Sequence, residues 1–307
     1  MQQDFIIFAA GCVCAAIGGE LFVAGLVGVA ERGRLPSGII AATLGAFATS
    51  SPELMVGITS AWRGHPELSL GDVTGSNVAN IALVLAIPIA FFGLQTTRGA
   101  VFRELPFALL IFPLLYLAAR DGRITAADAI LFLAVFLFWL ALLVFSAARS
   151  RTAESGERLP GRLFIATVVV VGLVMLIMAG ELIVVGASGL AASAGIPPYL
   201  IGATVVAFGT SVPELATVVI SSLRGQSEVG LQTILGSNVF NCLFIIPVAT
   251  LIHPIDVDWP SLKFTLEAGL AATLLITPFG SSRLGRWRGV VLFGLYIAFI
   301  ALSLKPG

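Results

Sequence analysis

Apolar runs of 18 to 30 residues follow one another along nearly the whole chain, separated by short polar connections. Each is long enough to cross the roughly 30 Å hydrocarbon core of a bilayer as a helix. Composition agrees: 58% of the 307 residues are hydrophobic and 11% are charged, against about 45–50% and about 25% in soluble domains. So few charges cannot wet a globular surface, which excludes a water-soluble enzyme. Within lipid the backbone must satisfy its own hydrogen bonds, and a helix does so inside one segment. The fold expected is an all-α membrane protein of ten transmembrane helices, near 4–30, 36–62, 70–93, 100–118, 125–147, 163–193, 197–223, 230–251, 261–278 and 287–304.

Seventeen basic and 17 acidic residues cancel, so net charge calls for no nucleic acid or other polyanionic partner. Cys12, Cys14 and Cys242 lie inside apolar runs. They read as small buried hydrophobes, not as a disulfide framework or a metal site. The start, MQQDFIIFAAGC, lacks the basic region of a cleaved signal peptide, so the first run is expected to stay in the membrane.

The chain repeats itself. Residues 19–80 align with 180–241 at a constant offset of 161 and without a gap, and 28 of the 62 positions are identical. The shared blocks include GEL, ATxxAFxTSxPEL and GSNVxN. Five spans per half is an odd number, so the second copy must enter the membrane in the opposite sense. Inverted repeats of this kind build many secondary transporters, with the site near the midplane where the copies meet. The halves are 1–147, with its motif region at 43–80, and 163–307, with its motif region at 204–241. The most polar stretch of the chain, 148–162, links them.

Basic residues orient the chain. Loops after the odd-numbered spans hold 12 of them, the opposite side 5. The excess belongs in the cytoplasm, which puts the central linker inside and both termini outside.

Four glutamates fall deep in spans: Glu20, Glu53, Glu181 and Glu214. A carboxylate at mid-bilayer costs about 2.5–3.5 kcal/mol even on the mild insertion scale, so such residues mark ion pathways by default. No Lys, Arg or His lies deep in a span to neutralise them. A proton or a bound cation must therefore do so. Glu53 and Glu214 carry the more informative surroundings, AFATSSPE and AFGTSVPE. Pro52 and Pro213 lack an N–H, which frees the carbonyls of Ala48 and Gly209 and breaks the helix. Thr49 and Ser50 precede Glu53 by four and three residues and share its face, as do Thr210 and Ser211 with Glu214. In the next span of each half, Ser76 and Asn80, and Ser237 and Asn241, are also four apart. A pseudo-twofold axis joins these into two carboxylates, six hydroxyls, two amide oxygens and freed carbonyls, an all-oxygen set of the kind hard cations such as Ca²⁺ and Na⁺ take. Ser60, Ser221, Gly75 and Gly236 read as close-packing positions. Glu20 and Glu181 lack neighbouring hydroxyls and read as bonding across helices or lining an entry path. Asp72, whose repeat counterpart is Thr233, and Glu267, near a span end, read as peripheral. Trp62, Trp259 and Trp287 sit at span ends as interfacial anchors.

With its ten spans, inverted repeats and paired GTSxPE-like and GSxxxN motifs, the chain resembles the calcium/cation antiporter superfamily, and within it the sodium/calcium exchangers of prokaryotic type. The resemblance covers the whole chain. It implies Glu53 and Glu214 as central Ca²⁺ ligands. It also implies Na⁺ sites from Thr49, Ser50, Thr210, Ser211, Ser76, Ser237 and the carbonyls of Ala46 and Ala207, with Asn80 and Asn241 completing the centre. Spans 1 and 6 are implied to slide across the remaining bundle. Ala48 stands where the family usually has glycine, and Asn241 where archaeal exchangers often carry aspartate.

The resulting expectation is a Na⁺/Ca²⁺ antiporter of the plasma membrane, electrogenic, not an enzyme and without a resident cofactor, its partners being the two ions and the lipid bilayer. Rival readings are a Ca²⁺/H⁺ antiporter or a potassium-dependent exchanger using the same two glutamates. A more distant one is an intramembrane hydrolase, for which no deep His or Lys offers a serine a base. The topology is open to direct test. In a background without Cys12, Cys14 and Cys242, a cysteine at Ser155 should be labelled only from the cytoplasmic side and one at Gly307 only from outside. Labelling of both from one side would refute ten spans.

Overall fold

A computed structural model describes residues 1–32, 47, 49–95, 98–149, 161–223, 227–278 and 283–304. The chain is an all-α multi-pass membrane protein. Helix α1 covers Gln2–Arg32 and α2 Ser51–Trp62. Helix α3 runs over Pro66–Phe92 and contains a π-helical stretch at Asn80–Leu85. Then come α4 (Arg98–Ala119), α5 (Ala126–Arg149) and α6 (Arg162–Ala194). Helix α7 (Pro198–Thr210) and α8 (Val212–Leu223) form one bent pair, and α9 runs through Ser227–Phe240, a π-helical Asn241–Ile245 and Ile246–Ile252. Helices α10 (Trp259–Leu275) and α11 (Arg286–Ser303) close the chain. Among the described residues six helices are long and apolar enough to cross a membrane, or seven with the bent pair counted as one span. The pair bends by 43°. Proline opens α3 and α7, where a missing N–H costs nothing, and Gly195 ends α6 at φ +65°.

Four two-residue strands tie the helix ends together across the molecule. β1 (Leu94–Gln95) pairs antiparallel with β4 (Arg283–Leu284), and β2 (Arg123–Ile124) with β3 (Ile255–Asp256). Each ladder joins the first half of the sequence to the second.

Side chains divide into two packed clusters. The larger draws on α3, α4, α5, α9, α10 and α11, with Ile81, Leu115, Phe132, Ile246 and Leu292 among its members. The smaller sets Phe8 and Ala15 of α1 and Ile183 of α6 against Val56 of α2 and Val206 of α7. Helices α3 and α9 are central, 72% and 83% buried over their apolar windows, whereas α1 and α6 are 28% and 33% buried. These two long helices lie antiparallel along each other outside the bundle, and Gly11, Gly18 and Gly25, seven residues apart, face Ile183, Met175 and Val169 in turn. Large apolar side chains such as Phe5, Phe138, Phe164 and Val170 are exposed, as suits a lipid-facing surface. Trp62 is 81% exposed at the end of α2 and Trp287 60% exposed at the start of α11.

Small residues let the central helices approach closely, as Gly75 was expected to do. A Cβ at Gly75 of α3 would fall 2.2 Å from the carbonyl oxygen of Ala203 in α7, while one at Gly294 would meet nothing within 4 Å. Gly75→Ala should therefore lose about 1–3 kcal/mol to overpacking, read as a lowered thermal midpoint in detergent. Gly294→Ala should leave the midpoint unchanged or slightly raised.

Candidate functional site

The helix break arises where the prolines were expected to place it. Ser211 leaves helical geometry at φ −79°, ψ 5° between α7 and α8, and Ser50 does so at φ −88°, ψ 10° before α2. Pro52 and Pro213 occupy the first turn after each break, and Glu53 and Glu214 follow at once. Both glutamates are fully buried, as are Ser50, Ser76, Asn80, Thr210, Ser237 and Asn241, while Ser211 is 2% and Thr49 9% exposed.

Contacts among these residues cross from one sequence half to the other and come in pairs related by the 161-residue offset. Thr49 Oγ1 lies 3.0 Å from Ser237 Oγ, and Ser76 Oγ lies 3.3 Å from Thr210 Oγ1. Asn77 Nδ2 donates to the carbonyl of Asn238 and Asn238 Nδ2 to the carbonyl of Asn77, both at 3.1 Å. Asn80 Nδ2 donates to Asn238 Oδ1 at 2.9 Å, and Asn241 Nδ2 to Asn77 Oδ1 at 3.2 Å. All of this lies on α3 and α9 and on the two breaks facing them. The π-helical turns begin at Asn80 and Asn241 themselves, a feature that often accompanies function.

The oxygens left over define what the site can do. Among the described residues, both carboxylate oxygens of Glu53 and of Glu214, Asp72 Oδ2, the Oδ1 atoms of Asn80 and Asn241, and the hydroxyls of Ser50 and Ser211 are buried without a hydrogen bond. Every one can accept, and none of the carboxylates faces a Lys, Arg or His in an ion pair among the described residues. No group of three or more His, Cys, Asp or Glu is placed to hold a metal ion among them either. A cation here would have to draw on hydroxyl and amide oxygens as well as carboxylates, which is how Ca²⁺ and Na⁺ are held.

Comparison with known proteins identifies this arrangement. A family model described as "Sodium/calcium exchanger protein" matches residues 4–145 and 164–305. The chain belongs to the sodium/calcium exchanger family. It is 34% identical to CaxA of Alkalimonas amylolytica over 91% of this chain and 90% of that one. It is 26% identical to the sodium/calcium exchanger MaX1 of Methanosarcina acetivorans, over 97% of this chain and 98% of the other. Among solved structures, the sodium-calcium exchanger NCX_Mj soaked with 100 mM Na⁺ and 10 mM Sr²⁺ superimposes with a TM-score of 0.69 at 26% identity, covering 99% of both chains.

Several expectations need amending within that family frame. Asp72 is not peripheral: it is fully buried in α3 and accepts from Thr210 Oγ1 at 3.0 Å and Ser76 Oγ at 3.4 Å. The repeat comparison hid it, because its counterpart is a threonine. Asn77 and Asn238, which lie inside GSNVxN, form the central amide exchange. Glu181 does have a basic partner. Arg63, at the end of α2, donates to it from Nε at 3.0 Å, and both side chains are nearly half exposed. The length of the arginine side chain lets it reach from the span end. Glu20 is exposed on a cavity of about 490 Å³ lined also by Thr49, Pro52, Pro213 and Thr217. Ala207 is buried, and its carbonyl accepts from the Ser211 N–H at 3.2 Å. Ala46 and Ala48 lie outside the described residues. Glu267 is 64% exposed and pairs with Lys263. Cys12, Cys14 and Cys242 are free thiols, and Cys242 accepts a hydrogen bond from Asn77.

Because the reciprocal amides hold α3 to α9, Asn238→Ala should strand the donors of Asn80 and remove the bond to the Asn77 carbonyl. The expected loss is about 2 kcal/mol or more, measured as a fall in thermal midpoint that exceeds that of Ser60→Ala, whose hydroxyl bonds only its own helix.

Proposed function

We propose that this protein exchanges Na⁺ entering against Ca²⁺ leaving across the plasma membrane by alternating access, with Glu53 and Glu214 as the divalent ligands. The observation that carries the reading is two fully buried carboxylates, one from each repeat, whose four oxygens make no hydrogen bond among the described residues. The family is one of transporters and the protein is not an enzyme; Ca²⁺ and Na⁺ are its substrates. Thr49, Ser50, Ser76, Thr210, Ser211 and Ser237 supply hydroxyl oxygens for Na⁺, aided by the carbonyls of Ala46 and Ala207, and Asn80 and Asn241 supply amide oxygens at the centre.

The architecture in this proposal is ten spans in two inverted five-helix halves, 1–147 and 163–307, with residues 148–162 as a cytoplasmic linker and both termini outside. The crossed contacts, which come in pairs related by the 161-residue offset, support it, as does the pairing of each short strand with one from the other half. The moving part is α1 with α6. Their place outside the bundle and their long antiparallel contact support a sliding pair, and Arg63–Glu181 ties α6 to α2 in the arrangement seen.

Exchange of three Na⁺ for one Ca²⁺ carries one positive charge inward. A membrane potential, negative inside, then assists extrusion by about 2.3 kcal/mol per 100 mV. The test is ⁴⁵Ca²⁺ uptake into proteoliposomes under separate Na⁺, K⁺ or H⁺ gradients, with voltage clamped by a K⁺ ionophore. Na⁺ alone should drive it, and the equilibrium Ca²⁺ ratio should move with voltage. Glu53→Gln and Glu214→Gln should each abolish flux in folded protein. Near-normal flux in either variant, or uptake driven by H⁺ without Na⁺, would sink the assignment.

A further inference from the structure

We infer that Asp72 is a third carboxylate of the cation path and holds one Na⁺ on the flank it forms with Ser76 and Thr210; the inference rests on the exchange reading above.

The flank holds more oxygen than its protons can serve. The single hydroxyl proton of Thr210 has four acceptors within reach: Asp72 Oδ1 at 3.0 Å, the Val206 carbonyl at 3.2 Å, Ser76 Oγ at 3.3 Å and the Ala207 carbonyl at 3.5 Å. Ser76 also has one proton, shared between Thr210 and Asp72 Oδ1 at 3.4 Å. A hydroxyl donates once, so two protons serve a carboxylate and two backbone carbonyls at once. Asp72 Oδ2 receives none of them: it is buried and makes no hydrogen bond among the described residues. A cluster with surplus lone pairs and an unpartnered carboxylate oxygen is built for a hard cation. One carboxylate with a few neutral oxygens matches a single positive charge, whereas Ca²⁺ takes 6–8 oxygens and often several carboxylates.

The other flank lacks this charge. Opposite Asp72, 161 residues on, Thr233 turns its hydroxyl to the Val229 carbonyl of its own helix at 2.9 Å. The Thr49–Ser237 flank therefore has no counterpart of Asp72, so the two flanks differ although the repeats match. The charge count changes with it. Glu53 and Glu214 alone give −2, which three Na⁺ overfill by one. With Asp72 the count is −3, which three Na⁺ balance and one Ca²⁺ leaves at −1. One positive charge crosses per Ca²⁺ on either count, so voltage in the unaltered protein does not distinguish them, but the number of Na⁺ ions carried once the Asp72 charge is removed does.

Asp72→Asn keeps the side chain's shape and removes its charge. The readout is the exponent with which the equilibrium Ca²⁺ ratio follows the Na⁺ ratio in proteoliposomes at clamped voltage and fixed pH. It should be three in the unaltered protein and two in Asp72→Asn. Na⁺-driven flux should fall about tenfold, the equivalent of one lost charge-assisted contact, relative to Ca²⁺/Ca²⁺ exchange in the same vesicles. Asp72→Thr, which copies the second repeat, should behave alike and serves if the asparagine variant does not fold. An unchanged exponent would make Asp72 a positioning residue for the two hydroxyls and overturn the inference. So would both fluxes falling together, or an exponent of two in the unaltered protein, which needs no variant. Retained flux in Glu53→Gln would instead fail the two-glutamate reading, leaving the Asp72 exponents to be judged by themselves.

Discussion

Carboxylates buried without a basic partner are the constraint on which the rest of this structure depends. Isolated charges of this kind are too costly to keep in a dry interior. Fully buried Glu53 and Glu214 therefore persist only with a proton or a cation to neutralise them, and the proposed function gives that task to a cation shared with the surrounding oxygens. That requirement accounts for the unusual local backbone. The helix is broken at Ser50 and Ser211 directly before each acid, hydroxyls from α3 and α9 are brought against the breaks, and the amides of Asn77 and Asn238 bond to each other's backbone. Irregular backbone at membrane depth is tolerated where it lines such a cavity or is buried in protein.

The same constraint separates rigid from movable parts. Helices α3 and α9 must hold their register, because a shift would misplace four hydroxyls and four amides together. They are accordingly the most buried spans, locked by reciprocal hydrogen bonds and by close approach at Gly75. Helices α1 and α6 contribute no ligand. Their seam is lined by small residues at seven-residue spacing, and at Gly209 the break itself has no Cβ to collide with Cys12 of α1. Small residues along the α1–α6 seam let the two backbones approach closely, with Ile183, Met175 and Val169 seated over the glycines.

Much of the site could be read before any coordinates. A gapless 161-residue offset singles out TSxPE and GSNVxN, because duplicated buried acids cannot be explained by packing. The failures share one cause: they depend on what crosses between elements. Asp72 has a threonine as its counterpart, so a comparison that rewards identity sets aside the one acid that breaks the symmetry. Asn77 and Asn238 precede Asn80 and Asn241 by three residues and share their face, but that they bond across to the other copy depends on α3 and α9 facing each other. Glu181 does bond across helices, one of the two roles expected of it, and only its partner, Arg63, has no signal in any spacing along the chain.

With Glu53 and Glu214 holding the ions as proposed above, obligatory exchange follows from the same electrostatics. Alternating access requires an occluded state in which the site meets water on neither side. Closing the bundle over uncompensated Glu53 and Glu214 would add the cost of two naked charges, about 5–7 kcal/mol on the mild scale, slowing the passage by about four to five orders of magnitude. A site filled with Na⁺ or with Ca²⁺ removes most of that barrier, so the carrier turns over when loaded and stalls when empty. Two unlike ions can then compete for one set of oxygens, and the gradient of one drives the other. Nothing else in the protein need sense which ion is present, because the charge of the site does so directly.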